Sequence, residues 1–135
     1  MSIERTTPVA ELFTGPFTTS LAPDELLTAV VFPRGDSRRF GFVELARRHG
    51  DFALSGAAVL LDPGRVVLFG LGGGPERAPA AERALDEGAD AAEAAEHATR
   101  DLTPVTDVHA DGDYRRRAAT VVLRRAIEQA EASAV

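Results

Sequence analysis

The sequence predicts an α+β domain, a small antiparallel sheet of three to four strands with a cluster of helices packed on one face. Three observations predict it. Runs rich in β-branched and aromatic residues lie before Gly72, whereas after Pro75 Ala, Glu and Arg take over. Strands therefore precede helices, which is the order of an α+β fold rather than of alternating βαβ units. The length, 135 residues, suits one core and leaves no room for a second full domain.

Residues 1–20 read as an irregular lead-in. Pro8, Gly15, Pro16 and the Thr18-Thr19-Ser20 run break any period, while Leu12, Phe13 and Phe17 ask for burial. Pro23-Asp24-Glu25 reads as a turn. Leu26 to Phe32 is a β-rich run stopped by Pro33-Arg34-Gly35-Asp36, and is the first strand candidate. Phe40 to Ala46 alternates roughly by two, which sets Phe40, Phe42 or Val43 and Leu45 against a core. Ala53 to Leu61 and Arg65 to Gly70, separated by Asp62-Pro63-Gly64, read as an antiparallel hairpin.

Pro79 to Leu85 and Ala89 to Asp101 suit two short helices joined near Gly88. In the second of them Ala91, Ala94, Ala95, Ala98 and Leu102 follow helical spacing, a slim face able to approach a sheet closely, and the other face is acidic. Asp113 is the expected N-cap of a last helix running from Tyr114 to about Ala132, with Tyr114, Ala118, Val121, Val122 and Ile127 on or near one stripe.

Composition excludes several chemistries. There is no Cys, hence no thiolate nucleophile, disulfide or cysteine-held metal cluster. All 15 cations are Arg, so a Schiff-base or lysine-base mechanism is closed to the chain. A net charge of −6 argues against nucleic acid. Arg47-Arg48, Arg115-Arg116-Arg117 and Arg124-Arg125 read as solvated faces. No apolar run is long enough to span a membrane and no secretory leader pattern opens the chain, so the expected location is cytoplasmic.

Gly70-Leu71-Gly72-Gly73-Gly74-Pro75 lacks the spacing of a phosphate loop, Pro75 standing where a dinucleotide fingerprint has its third glycine, and reads as a strand-to-helix connection. His49, Asp51 and Ser55 are neighbours in sequence only and do not make a triad. His97 and His109 stand apart from any ligand-spaced carboxylate pair, so no metal site is expected.

Several stretches, taken in order, resemble the FAD-binding medium subunit of molybdenum hydroxylases, the carbon monoxide dehydrogenase and xanthine dehydrogenase family. Leu12 to Leu21 followed by Pro23-Asp24-Glu25-Leu26-Leu27-Thr28 resembles the segment that closes that subunit's FAD domain. Gly41-Phe42-Val43-Glu44-Leu45-Ala46-Arg47-Arg48-His49-Gly50-Asp51-Phe52-Ala53-Leu54 is similar to its G-F-x-E/K-x-A-R-R-x-G-D-x-A signature, most diagnostically of the carbon monoxide dehydrogenase branch. Gly70 to Ala78 looks like its glycine loop and P-x-R-A. Asp107-Val108-His109-Ala110 with Asp113-Tyr114-Arg115-Arg116 resembles its D-x-H-A-x-x-x-Y-R-R.

The resemblance implies an α+β C-terminal domain over residues 25–135, with residues 1–24 a remnant of the end of the FAD-binding domain. It implies a subunit that passes electrons from iron–sulfur clusters on a small partner to FAD, the substrate being oxidised at a molybdenum cofactor on a large partner. The family's pyrophosphate-binding glycine loops precede this region, so FAD is expected only together with an N-terminal FAD-binding half. Residue by residue, Leu26, Leu27 and Thr28 would lie near the isoalloxazine or adenine side, and Glu44 takes a position held by Lys in the xanthine dehydrogenase branch. Two functions are expected to compete. One is a truncated or split flavoprotein subunit acting with partner chains. The other is a redeployed flavin-free domain that binds or transforms a small molecule, or works as a dimeric interaction module, motivated by Met1 lying close to the start of the resemblance and by apolar Leu12, Phe13 and Phe17.

Overall fold

The computed structural model describes residues 4–15, 17–32 and 39–133. The chain forms two compact units, residues 1–34 and 35–135.

In the first unit a short helix α1 (Val9–Leu12) leads into a two-stranded antiparallel sheet of β1 (Phe13–Gly15) and β2 (Thr18–Thr19), so the lead-in is more regular than its composition suggests. Arg5 ties its ends together. Its guanidinium donates to both Glu25 carboxylate oxygens at 2.6 and 2.7 Å and to the Ser20 carbonyl at 3.0 Å. That contact and the Ala22 N–H hold the Glu25 carboxyl down at about 2. The expected strand over Leu26–Phe32 does not form. The segment has no strand pairing, and Leu26, Leu27, Val30, Val31 and Phe32 are exposed. β-propensity measures how well a residue fits a pleated, half-buried surface, and it cannot supply a partner strand. The expected stop at Pro33 to Asp36 lies outside the described residues.

The second unit holds a four-stranded antiparallel sheet in sequential order, β3 (Phe40–Leu45), β4 (Ser55–Leu60), β5 (Arg65–Phe69) and β6 (Glu76–Arg77). The β4–β5 hairpin forms as expected, in register from Gly56 opposite Phe69 to Leu60 opposite Arg65. Three helices follow: α2 (Pro79–Asp86), α3 (Ala91–Thr99) and α4 (Gly112–Ala132).

Helix α4 crosses the inner face of β3 and β4, and α2 meets β5. Gly41 permits this approach, because a Cβ there would collide with the Ala126 carbonyl. The core is Ala57, Val59, Val66 and Leu68 of the sheet against Val122, Leu123, Ala126 and Ile127 of α4, with Val43 and Leu45 packed alongside. Of the two options for β3, Val43 and Leu45 therefore face the core and Phe40 and Phe42 do not. Leu123 and Ile127 are fully buried, and each such side chain contributes about 2 kcal/mol.

The alanine stripe of α3 is buried as its spacing predicts, but it packs chiefly against α2 and α4 rather than on the sheet. Small residues on all three helices allow the close approach, and a 2.7 Å contact between the Thr99 and Thr120 hydroxyls joins α3 to α4. The N-cap of α4 is Asp111, whose carboxylate accepts from the Tyr114 N–H at 2.6 Å; Asp113 instead pairs with Arg116. Of the expected α4 stripe, Ala118, Val122 and Ile127 are buried, whereas Tyr114 and Val121 are exposed.

Candidate functional site

Helices on one side leave the other face of the sheet open within this unit. Alternation along β3 points Phe40, Phe42 and Glu44 outward. Register adds Leu60 opposite Phe40, Ala58 opposite Phe42 with Val67 beyond it, and Gly56 opposite Glu44 with Phe69 beyond it. Phe40 is 59% exposed and Phe42 51%. The Phe42 and Phe69 rings stack with centroids 5.5 Å apart. The Phe69 ring lies over Gly56, where a Cβ would run into it. The result is a rigid aromatic shelf with a carboxylate, Glu44, beside it.

At the Ser55 end of β4 a buried cation gathers three loops. Arg115, 4% exposed, donates through Nη1 to the carbonyls of Leu54 and Gly70, both at 2.8 Å, and through Nη2 to Asp107 Oδ2 at 2.7 Å. The other Asp107 oxygen accepts the N–H groups of His109 and Ala110 at 2.8 and 3.1 Å. These N–H groups, His109's first, and the Arg115 guanidinium hold the Asp107 carboxyl down at about 2. The expectation that Arg115 lies on a solvated face is therefore corrected, because on α4 it falls on the same stripe as Ala118, Ala119 and Val122. The Gly50-Asp51-Phe52-Ala53-Leu54 turn, the glycine loop and the Asp107 to Arg115 stretch all meet at one guanidinium.

The other sequence candidates fall where their surroundings make them inert. Ser55 is fully buried on the inner face and His49 is exposed in a turn. Among the described residues no group of His and carboxylates is placed to hold a metal ion. The glycine loop leads from β5 to β6 and α2, as a connection should. Leu26 is 83% and Leu27 53% exposed, Thr28 is exposed with them, and Glu44 is exposed on the second unit. Sequence reasoning missed the aromatic shelf and the clamp. The signal for the first was the parity of Phe40 and Phe42 against Gly41; Arg115 carried none beyond its place on the α4 stripe.

These features belong to a recognisable lineage. The family model described as the CO dehydrogenase flavoprotein C-terminal domain matches residues 40–130, the span of the four-stranded sheet and its helices. The chain belongs to that family. A relative from Paenarthrobacter nicotinovorans, the nicotine 6-hydroxylase medium subunit, is 34% identical and aligns with 95% of this chain and 49% of its own length. Quinoline 2-oxidoreductase from Pseudomonas putida 86 superposes with a TM-score of 0.83 at 29% identity, covering 97% of this chain and 50% of that one. A carbon monoxide dehydrogenase from Hydrogenophaga pseudoflava superposes with a TM-score of 0.82 at 28% identity, covering 97% and 50%. The chain thus spans about half the length of the relatives it matches. As a member of the CO dehydrogenase flavoprotein C-terminal domain family it is related to medium subunits of CO dehydrogenase and other molybdenum hydroxylases, a family associated with FAD.

A pyrophosphate needs free N–H groups, most readily at a helix N-terminus. Here the carboxylates of Asp90 and Asp111 occupy the starts of α3 and α4, whereas α2 has no side-chain cap and the carboxylate of Glu82 in its first turn accepts from Arg77 and the Val66 N–H. Among the described helices and strands no membrane-crossing helix is present.

Proposed function

We propose that this chain is the C-terminal portion of a molybdenum hydroxylase flavoprotein subunit, contributing to electron transfer between iron–sulfur clusters and FAD only together with an N-terminal FAD-binding half. A molybdenum-cofactor large subunit and an iron–sulfur small subunit complete the assembly. The observation that carries this reading is the family match over residues 40–130, taken with a relative to whose length this chain contributes 49%. Residues 1–24 are then a remnant of the end of the FAD-binding domain, and residues 25–135 the C-terminal domain. The similarity to medium subunits favours this reading over a redeployed, flavin-free domain.

FAD would be gripped by the N-terminal half, a division supported by the absence of a dinucleotide glycine fingerprint from this chain and by the carboxylates that cap α3 and α4. Leu26, Leu27 and Thr28 in the first unit and, separately, Glu44 in the second are the residues assigned to the cofactor side, a role supported by the exposure of each. The flavin brings the one-electron and two-electron redox chemistry; this chain's residues position and shield it.

The test is the visible absorption spectrum of the purified chain after addition of FAD and removal of the unbound excess, with and without the N-terminal half. The expected result is a flavin spectrum retained only when both polypeptides are present. A chain that retains stoichiometric FAD on its own overturns the proposed division of labour.

A further inference from the structure

We propose that the cleft between α3 and α4 binds a compact oxyanion of the phosphate class, held by the guanidinium groups of Arg100, Arg116 and Arg117. The site lies wholly within the second unit, and it goes beyond the reading above because no part of it uses FAD.

The first observation is a local reversal of charge. The chain as a whole is acidic, with 15 arginines against 21 acids. The cleft is lined by Glu96, Thr99 and Arg100 from the end of α3 and by Arg116, Arg117 and Thr120 from α4, so three cations share it with one carboxylate. Like charges gathered in one place repel, and a bound anion removes that repulsion.

The second observation is that these cations have donors to spare. Among the described residues the side chains of Arg100 and Arg117 have neither a hydrogen bond nor an ion pair, and Glu96, one turn before Arg100, makes no ion pair with it. Arg116 gives only Nη2 to Asp113 Oδ1, at 2.6 Å, which leaves the rest of its five-donor fork unspent. Planar forks of this kind match the paired oxygens of a phosphate.

The two sides of the cleft are held at a fixed separation. Thr99 is buried, and its hydroxyl donates to the Ala95 carbonyl at 2.8 Å, so the 2.7 Å contact with Thr120 is donated by the Thr120 hydroxyl. A hydroxyl has one proton. Both are therefore spent on joining α3 to α4, and recognition of the anion falls to the arginines.

Size and lining set the class of ligand. The cleft measures about 280 Å³, below the roughly 300–1,000 Å³ of pockets that enclose drug-sized molecules. Its lining has no aromatic or large aliphatic side chain on which a nucleobase or a flavin ring could rest. Inorganic phosphate, or a phosphate monoester with a small polar group, fits both properties.

Isothermal titration calorimetry of the purified chain with sodium phosphate, in a chloride buffer of constant ionic strength, tests the site. The expected result is saturable binding of one phosphate with a dissociation constant of about 1 mM or tighter. The double variant Arg100→Gln, Arg117→Gln is expected to weaken it at least tenfold with an unchanged urea midpoint. The double variant Arg124→Gln, Arg125→Gln removes the same charge from α4 outside the cleft and is expected to leave binding unchanged. Where the cleft pair lowers the midpoint, Arg117→Gln alone decides, with a loss of about threefold expected and undiminished affinity overturning the proposal. No saturable binding up to about 10 mM, full binding by the cleft variant, or equal loss in the two double variants also overturns it. A parallel titration with glycerol 3-phosphate separates the sources: tighter binding than inorganic phosphate assigns a monoester, and equal or weaker binding assigns the free ion. Failure here leaves the proposed flavoprotein role standing, since the flavin spectrum tests that role by itself.

Discussion

Replacing Arg115 with Met is expected to destabilise the second unit by about 3 kcal/mol while preserving most of the buried volume. The magnitude comes from what the guanidinium leaves behind. Two carbonyls, Leu54 O and Gly70 O, lose a charge-assisted donor in a poorly hydrated place, and an unsatisfied buried polar group costs about 1–3 kcal/mol. Asp107 loses less. Its side chain is 40% exposed and keeps the His109 and Ala110 N–H groups, so solvent screens the ion pair and its loss adds little to the total. Set against these losses is the cost of burying a guanidinium whose Nε has no partner among the described residues. For a unit of roughly 100 residues, a 3 kcal/mol loss lowers Tm by about 15 °C. The assay is urea denaturation followed by circular dichroism, on Arg115→Met, Asp107→Asn and the double variant. Arg115→Lys is expected to recover less than half of the loss, because an ammonium cannot span two carbonyls and a carboxylate with a planar fork. A loss below about 1 kcal/mol for Arg115→Met would refute the clamp as an organiser of these loops.

Acid should act through Asp107. Its carboxyl lies at about 2 in the folded chain against an ordinary 3.8, so its contribution is fully present above about pH 4 and is lost as pH falls through 2. The stability advantage of the native chain over Asp107→Asn should therefore shrink between pH 4 and pH 2, and an advantage that grows on acidification would contradict the assignment. Gly41→Ala should cost about 2 kcal/mol or more by pushing α4 off β3, read as a lower urea midpoint. Leu123→Ala should cost about 3 kcal/mol by the same measurement, since its site is closed on all sides by sheet and helices. For the start of α4, Asp111→Ala should destabilise by about 1 kcal/mol and Asp113→Ala by much less; the reverse order would restore Asp113 as the cap.

Much of the fold was legible in the chain itself. The β4–β5 hairpin was readable because two apolar runs flank Asp62-Pro63-Gly64, and local turn chemistry decides such pairing without distant help. Helices α2, α3 and α4 were readable because their Ala-rich and Glu-rich stretches repeat at helical spacing. The family was readable from ordered motifs, and three of them bring Leu54, Gly70, Asp107 and Arg115 together at one guanidinium.

Tertiary structure decided which side of each element is inside. Both sides of β3 carry apolar residues, so period-two alternation could not choose between them; the close passage of α4 over Gly41 made Val43 and Leu45 core and turned Phe40 and Phe42 outward. The same kind of event buried Arg115, because carbonyls from loops about 45 and 61 residues away supply its partners, and no local pattern encodes so distant a meeting. Leu26–Phe32 shows the converse. Strand propensity is a property of the segment, whereas a strand requires a neighbour, and among the described residues this segment has none paired with it.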